Sequence, residues 1–353
     1  MSKVFANRSK VWEPSIARSN AILSKPFRSN ADTKKPFVII TVGPTGSGKT
    51  GLVAQTIKYC NLPSSPTPRV YLVDDLVVVN PEYKTRVKDI IKRFDITVDT
   101  VEKFMETPEV IKAFNEAYFG VRNGKDKQDE SHKINCVEGV EGNCNIVNDN
   151  EMRKAIASNE SFVLEITGRD FPKWFLERGN GWLGEVTEKY DVYVTGVFVS
   201  DLDELIERNK RRFKKSFELF LSDPAKNPGP RLPDIRKDEF NASIITIRNT
   251  IRDMYKTCVL PKDKDITICG NENIDRLLLY KNNEDMQLVF DSLNPSTDFD
   301  TVLDGLYKEV TTSGGRKRKS YNIKRKHKFC KSNSTNKTKK KSRKSRKHIN
   351  KKN

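Results

Sequence analysis

Eight residues, Gly43-Pro44-Thr45-Gly46-Ser47-Gly48-Lys49-Thr50, constrain this chain more than any other stretch. A loop of the form GxxxxGK[ST] cradles phosphate only between the end of a strand and the start of a helix, where backbone N–H groups and the helix N-terminus converge on an anion. The run before it, Phe37-Val38-Ile39-Ile40-Thr41-Val42, is β-branched and aromatic, as a strand buried on both faces requires. The run after it, Gly51-Leu52-Val53-Ala54-Gln55-Thr56-Ile57-Lys58, fits a helix. Gly43, Gly46 and Gly48 let the backbone wrap round phosphates, with Pro44, Thr45 and Ser47 completing the cradle. Lys49 then reaches the β and γ phosphates, and the Thr50 hydroxyl serves as a ligand for Mg²⁺. ATP or GTP with Mg²⁺ is therefore the expected cofactor set.

The remaining pattern sets the fold class. Strands are expected at 69–73, 161–165, 191–199, 265–269 and 276–280, with helical patterns over much of 82–120 and at 151–158, 201–213 and 234–256. Residues 222–233, SDPAKNPGPRLP, are denied a helix by proline and glycine. Strands separated by helices imply an α/β fold, a parallel sheet flanked by helices of the P-loop kinase-like type. Residues 1–36 read as a polar leader, 37–292 as the P-loop domain, about 121–150 within it as a long polar insertion, and 293–312 as a linker.

The net charge of +18 is unevenly distributed. From Ser313 to Asn353 there are 19 Lys or Arg and no Asp or Glu, so 65 minus 19 leaves 46 basic residues against 47 acidic ones in the rest. A segment of that composition cannot repay the entropy of folding, and 313–353 is expected to be a disordered polybasic tail that adheres to nucleic acid through counterion release, acts as a nuclear import signal, or is simply a solvated tail with weak, salt-sensitive adhesion to any polyanion. No run approaches the ~18 apolar residues of a membrane span. The start, MSKVFANRSKVWEPSIARSN, lacks the apolar centre of a signal peptide. The expectation is an intracellular, non-secreted protein of cytoplasm or nucleus, with six reduced, unpaired cysteines. His132, Cys136 and Cys144 are too few for a zinc knuckle.

In open parallel sheets ligands bind beyond the carboxyl ends of the strands, which singles out Asp74 and Asp75, then Glu165, Thr167 and Arg169, then Arg208, Arg211 and Arg212. With those groups in place, the stretches GPTGSGKT, VYLVDDLVVVNPEY, FVLEITGR, DVYVTGVFVSDLDELIERNKRRF and IDRLLLYKNN, in this order across residues 37–291, resemble the zeta toxin family of P-loop kinases. Those enzymes phosphorylate a hydroxyl of a nucleotide sugar such as UDP-N-acetylglucosamine. Counting back from Asn80-Pro81, which stands where the family has His-Pro, the resemblance implies that Asp74 is the general base, with Asp75 the alternate and an acceptor-side residue. It implies that Glu165, Thr167 and Arg169 line the acceptor pocket, and that Arg208 and Arg231 neutralise the transferring phosphate, with Arg211 or Arg212 as substitutes for Arg208. The family's second acidic residue and its basic residue near the base are replaced by Leu72 and Val77, which leaves the small-molecule acceptor open. A nucleoside or polynucleotide kinase, or a nucleic-acid-binding packaging component with a silent P-loop, is the alternative. The tail is similar to those on proteins of large DNA viruses, which extends the expected locations to a host nucleus or virion.

Overall fold

The computed structural model describes residues 35–125, 133–169, 186, 189–259 and 274–307, all within one compact unit, Met1–Thr311. The expected strand at 265–269, the leader and the tail lie outside the described residues.

Strand β1 (Phe37–Val42) is buried at every position, and the sheet order shows why. It pairs in parallel with β3 (Phe162–Ile166) on one side and β4 (Asp191–Phe198) on the other, in the order β2-β3-β1-β4-β5-β6. The edges are β2 (Arg69–Tyr71), parallel to β3, and β6 (Met286–Asp291), antiparallel to β5 (Arg276–Asn282). Both faces of the central strand are covered. Phe37 and Ile39 pack with Val53 and Ile57 of helix α1 (Lys49–Tyr59), while Val38, Ile40 and Val42 join the main core on the opposite face. Each such side chain contributes roughly 1.5–3 kcal/mol when fully buried. The strand is thereby a rigid mount for whatever follows Val42, at the point where neighbouring crossovers diverge.

Between β2 and β3 the chain forms α2 (Val73–Val79), α3 (Pro81–Phe94), the short α4 (Val101–Phe104), α5 (Pro108–Asn123) and α6 (Cys144–Ala157). Between β4 and β5 it forms α7 (Leu202–Ser222) and α8 (Lys237–Met254), and α9 (Phe299–Leu306) follows β6. The α/β class and the mostly parallel sheet match the expectation.

Several boundaries differ for identifiable reasons. The second strand stops at Tyr71, and Asp74 and Asp75 stand in the first turn of α2, where carboxylates complement the helix dipole. The 121–150 stretch is not one loop. Helix α5 runs to Asn123 and ends at Gly124, whose φ of 67° suits glycine, and α6 already begins at Cys144, its first turn capped by the Asn143 side chain accepting from Ile146 N at 3.0 Å. Cys136 and Cys144 are bonded to each other, against the expectation of free thiols, because the turn between them brings their Cα atoms to 4.7 Å. Cys60 keeps its thiol. Nor is the described part of the expected linker, 293–307, a plain connection. Phe299, Leu303, Leu306 and Tyr307 are buried, and Phe299 stacks on Tyr255 at 3.8 Å.

Candidate functional site

The loop 43–50 leaves the end of β1 and turns into α1, with Gly46 at φ 83° and Gly48 at φ 99°, conformations that side chains resist. The Ser47 hydroxyl donates to Pro44 O at 2.8 Å and closes the turn from within. Lys49 is 8% exposed, and its ammonium donates to Gly43 O at 3.0 Å and Pro44 O at 3.1 Å. Burial pulls its pKa down to about 8; Glu165 opposes that shift, while Arg212 and Arg231 add to it. Three charged side chains from three other parts of the chain thus act on the loop lysine.

Each arrives by a separate route. Glu165 sits near the end of β3 beside Thr41 of β1, and its Oε2 accepts from the Thr50 hydroxyl at 3.3 Å. Asp74 stands at the start of α2 with 28% of its side chain exposed, whereas Asp75 beside it is 3% exposed and faces the interior. The contrast selects Asp74 as the carboxylate that a ligand can reach. One Asp74 oxygen accepts from the Tyr118 phenol and the other pairs with the Arg231 guanidinium, which also lies 4.1 Å over the Tyr118 ring. Burial pushes the Tyr118 phenol well up, so it remains a donor, and draws Arg231 down to about 10, which still leaves it cationic at neutral pH.

Arg231 does not ride on a free flap. Its loop is fixed to α2, which carries Asp74, and to the adjoining α3: Gly229 N donates to Val78 O at 2.7 Å, the Tyr83 hydroxyl donates to Pro230 O at 2.8 Å, and Lys84 donates to Ala225 O at 3.1 Å. A Cβ at Gly229 would meet the Tyr83 ring at 2.9 Å, which shows how closely loop and helix are fitted.

Arg208 is differently engaged from the expectation. Its Nε donates to Glu204 at 2.8 Å and its Nη2 to Asn283 O on the β5–β6 turn, so the guanidinium is committed to a helix-to-turn tie. Arg211 is largely exposed and paired with Glu204, whereas Arg212 lies close enough to act on Lys49. Thr167 is half-buried and Arg169 exposed, separated by Gly168 at φ 91°.

Three residues at the site escaped the sequence pattern: Tyr118, Asn209 and Asn282. Asn209 donates to Thr45 O at 2.9 Å and Asn282 to Ser47 O at 2.7 Å. A signal existed for two of them. Asn209 falls on the apolar stripe Leu202, Leu205, Ile206, Phe213 of α7, and Tyr118 on the stripe Val110, Ile111, Phe114, Val121 of α5, so each puts a polar atom where only packing is needed.

A β-strand, glycine loop and helix at the centre of a mostly parallel sheet, with cationic and acidic side chains gathered over the loop, define an α/β fold of the P-loop kinase-like class. No family model matches the chain, and no curated protein matches its sequence. Among solved structures it is similar to one from the molecular and structural characterization of the PezAT chromosomal toxin-antitoxin system of the human pathogen Streptococcus pneumoniae. The TM-score is 0.45 and the identity 14%, over 84% of this chain and 87% of that one.

Proposed function

We propose that this chain is a phosphotransferase that moves the γ-phosphate of ATP or GTP to a hydroxyl of a small acceptor, with a nucleotide sugar, to which the resemblance points, as the first candidate. The observation that carries the reading is the convergence on Lys49. The buried loop lysine lies within reach of the charges of Glu165, Arg212 and Arg231, Glu165 accepts from the adjoining Thr50 hydroxyl, and Arg231 is paired with the accessible carboxylate Asp74. A donor phosphate on the loop would then lie close to both a guanidinium and a candidate base. That is what a phosphoryl transfer needs, since positioning and charge neutralisation supply most of its catalysis.

In this reading the backbone of 43–50 and Lys49 hold the donor phosphates. The Arg231 guanidinium exchanges its Asp74 partner for phosphate oxygens, which it fits bidentately. Asp74, released from that pair, takes the acceptor's proton as the new P–O bond forms and the bond between the β and γ phosphates breaks, with the nucleoside diphosphate as leaving group. Thr50 and Glu165, a hydroxyl and a carboxylate 3.3 Å apart, are the oxygen donors that would hold Mg²⁺, which would supply charge neutralisation on the donor phosphates. Glu165 on Thr50 thereby belongs to the donor side of the site as much as to an acceptor pocket.

The test is transfer of label from γ-labelled ATP and GTP to a panel of nucleotide sugars and mixed metabolites. The intact chain should label a small molecule; Lys49→Ala should abolish it, and Asp74→Asn should slow it by roughly 10²-fold or more. Undiminished transfer by either variant would remove that residue from the mechanism. Label on oligonucleotide ends instead would reassign the acceptor to nucleic acid.

A further inference from the structure

We infer that Asn209 and Asn282 are positioning residues of the phosphate cradle, bracing it from two sides so that its anion-binding amides are held in place before any ligand arrives. The inference rests on the triphosphate reading of loop 43–50 given above.

The geometry begins with the peptide plane. In a trans peptide the C=O and the following N–H point in opposite directions. The Thr45 carbonyl is held by the Asn209 amide at 2.9 Å, so the N–H of Gly46 is turned the other way. The Ser47 carbonyl is held by the Asn282 amide at 2.7 Å, so the N–H of Gly48 is turned away in the same manner. Two carbonyls that would repel phosphate are thus engaged by side chains, and the N–H groups of Gly46 and Gly48 point away from those side chains. Without the amides these peptide planes are free to rotate about the adjoining glycine bonds, which is the freedom that glycine brings.

The glycines and asparagines are fitted to one another. A Cβ at Gly46 would lie 2.5 Å from Asn209 Nδ2, and one at Gly48 would collide with Asn282 Nδ2. The missing side chains therefore admit the braces as well as the phosphates. Asn209 is 2% exposed, and its Nδ2 has carbonyl oxygens at both contacts, Thr45 O and Leu205 O at 2.8 Å. That leaves no ambiguity in which amide atom faces the loop.

The two braces are also tied to each other. Arg208, adjacent to Asn209 on α7, donates to Asn283 O, adjacent to Asn282 at the end of β5. The Asn283 side chain accepts in turn from Ser200 N at 3.0 Å, just ahead of α7. Helix, turn and loop form a closed ring of contacts in which Arg208 is a structural member.

Calorimetric titration of the full chain with Mg·ATP and with the magnesium complex of inorganic triphosphate tests the brace independently of any acceptor. Asn282→Ala, at a half-buried position, and Asn209→Ala should each weaken both probes alike, by roughly 5- to 10-fold, the equivalent of one lost net hydrogen bond and some loop order. Hydrogen exchange of unliganded protein should quicken at the amides of 43–50 and remain unchanged in β1 and β3. If Asn209→Ala does not fold, Asn282→Ala decides the matter alone. An Asn282→Ala variant that binds both probes as tightly as the parent, or that loses affinity for ATP while keeping it for inorganic triphosphate, overturns the brace. A folded parent chain that binds neither probe overturns the triphosphate reading itself, and the brace with it.

Discussion

In the proposed reading Lys49 holds phosphate as a cation, yet its burial lowers its pKa to about 8 from the ordinary 10.5. Between those values the unfolded chain keeps a proton that the folded chain has released, so apo stability should rise as the pH climbs from about 8 towards 10.5. Below that window the folded protein carries the full cost of a desolvated ammonium, which the carbonyls of Gly43 and Pro44 only partly offset. Nucleotide affinity should run the opposite way. A triphosphate favours the charged lysine, so Mg·ATP binding should be level below about pH 7 and weaken as Lys49 is neutralised above 8. Titration calorimetry across that range checks the sign, with Lys49→Ala as the control that should lose the dependence. A parent chain whose affinity is constant from pH 7 to 9.5 would show that Lys49 does not bear on the phosphate.

At the scale of elements, the proposed transfer depends on the loop 223–236. It carries Arg231 to Asp74 because it is fastened to α2 and α3, above all by the Tyr83 hydroxyl on Pro230 O. Burial pushes the Tyr83 phenol far up, so this donor persists at any working pH. Tyr83→Phe leaves the ring packing against Tyr118 and removes only the donor, at a cost of about 1–3 kcal/mol for the buried carbonyl left behind. Thermal unfolding should report that loss. Phosphate transfer should slow several-fold while Mg·ATP affinity holds, because Asp74 and Arg231 lose register and the cradle does not. Equal transfer rates in the variant and the parent would dissociate the loop's anchoring from catalysis.

Which elements could be read from sequence follows from the same packing. The strand 37–42 was legible because a central parallel strand must be apolar on both faces, and the loop after it because its glycines and lysine have few other uses. The segment 73–79, VDDLVVV, has the β-branched look of a strand and is nevertheless helical, since burial of Leu76, Val77 and Val78 against the core outweighs local preference. Strand β6 was invisible because an edge strand is only half covered, and the alternation of Met286, Gln287 and Leu288 breaks off at Val289 and Phe290. Motif order proposed Asp74 and Lys49 for the site. The pairing of Asp74 with Tyr118 and Arg231, and of the loop with two asparagines, joins residues 44 to 235 positions apart, and no local pattern encodes such contacts.

For the molecule as a whole, charge separates two parts of the chain. Residues before Ser313 carry 46 basic and 47 acidic side chains, and surface pairs such as Lys214 with Glu102 and Lys210 with Glu106 distribute them without a large excess of either sign. The 19 basic residues of 313–353 have no acidic counterpart within that segment. Attraction to a polyanion should therefore depend on the tail and not on the P-loop domain. Each phosphate that the tail neutralises on single-stranded nucleic acid contributes about −0.7 to the slope of log affinity against log salt, and about −0.9 on duplex DNA. The full chain should bind both DNA and RNA oligonucleotides with a steep slope that is insensitive to sequence. Deleting 313–353 should abolish that binding while transfer to a small acceptor continues at the parental rate. Retention of salt-dependent binding after the deletion would move the nucleic-acid surface onto the folded domain. Loss of small-acceptor transfer would make the tail part of the catalytic unit.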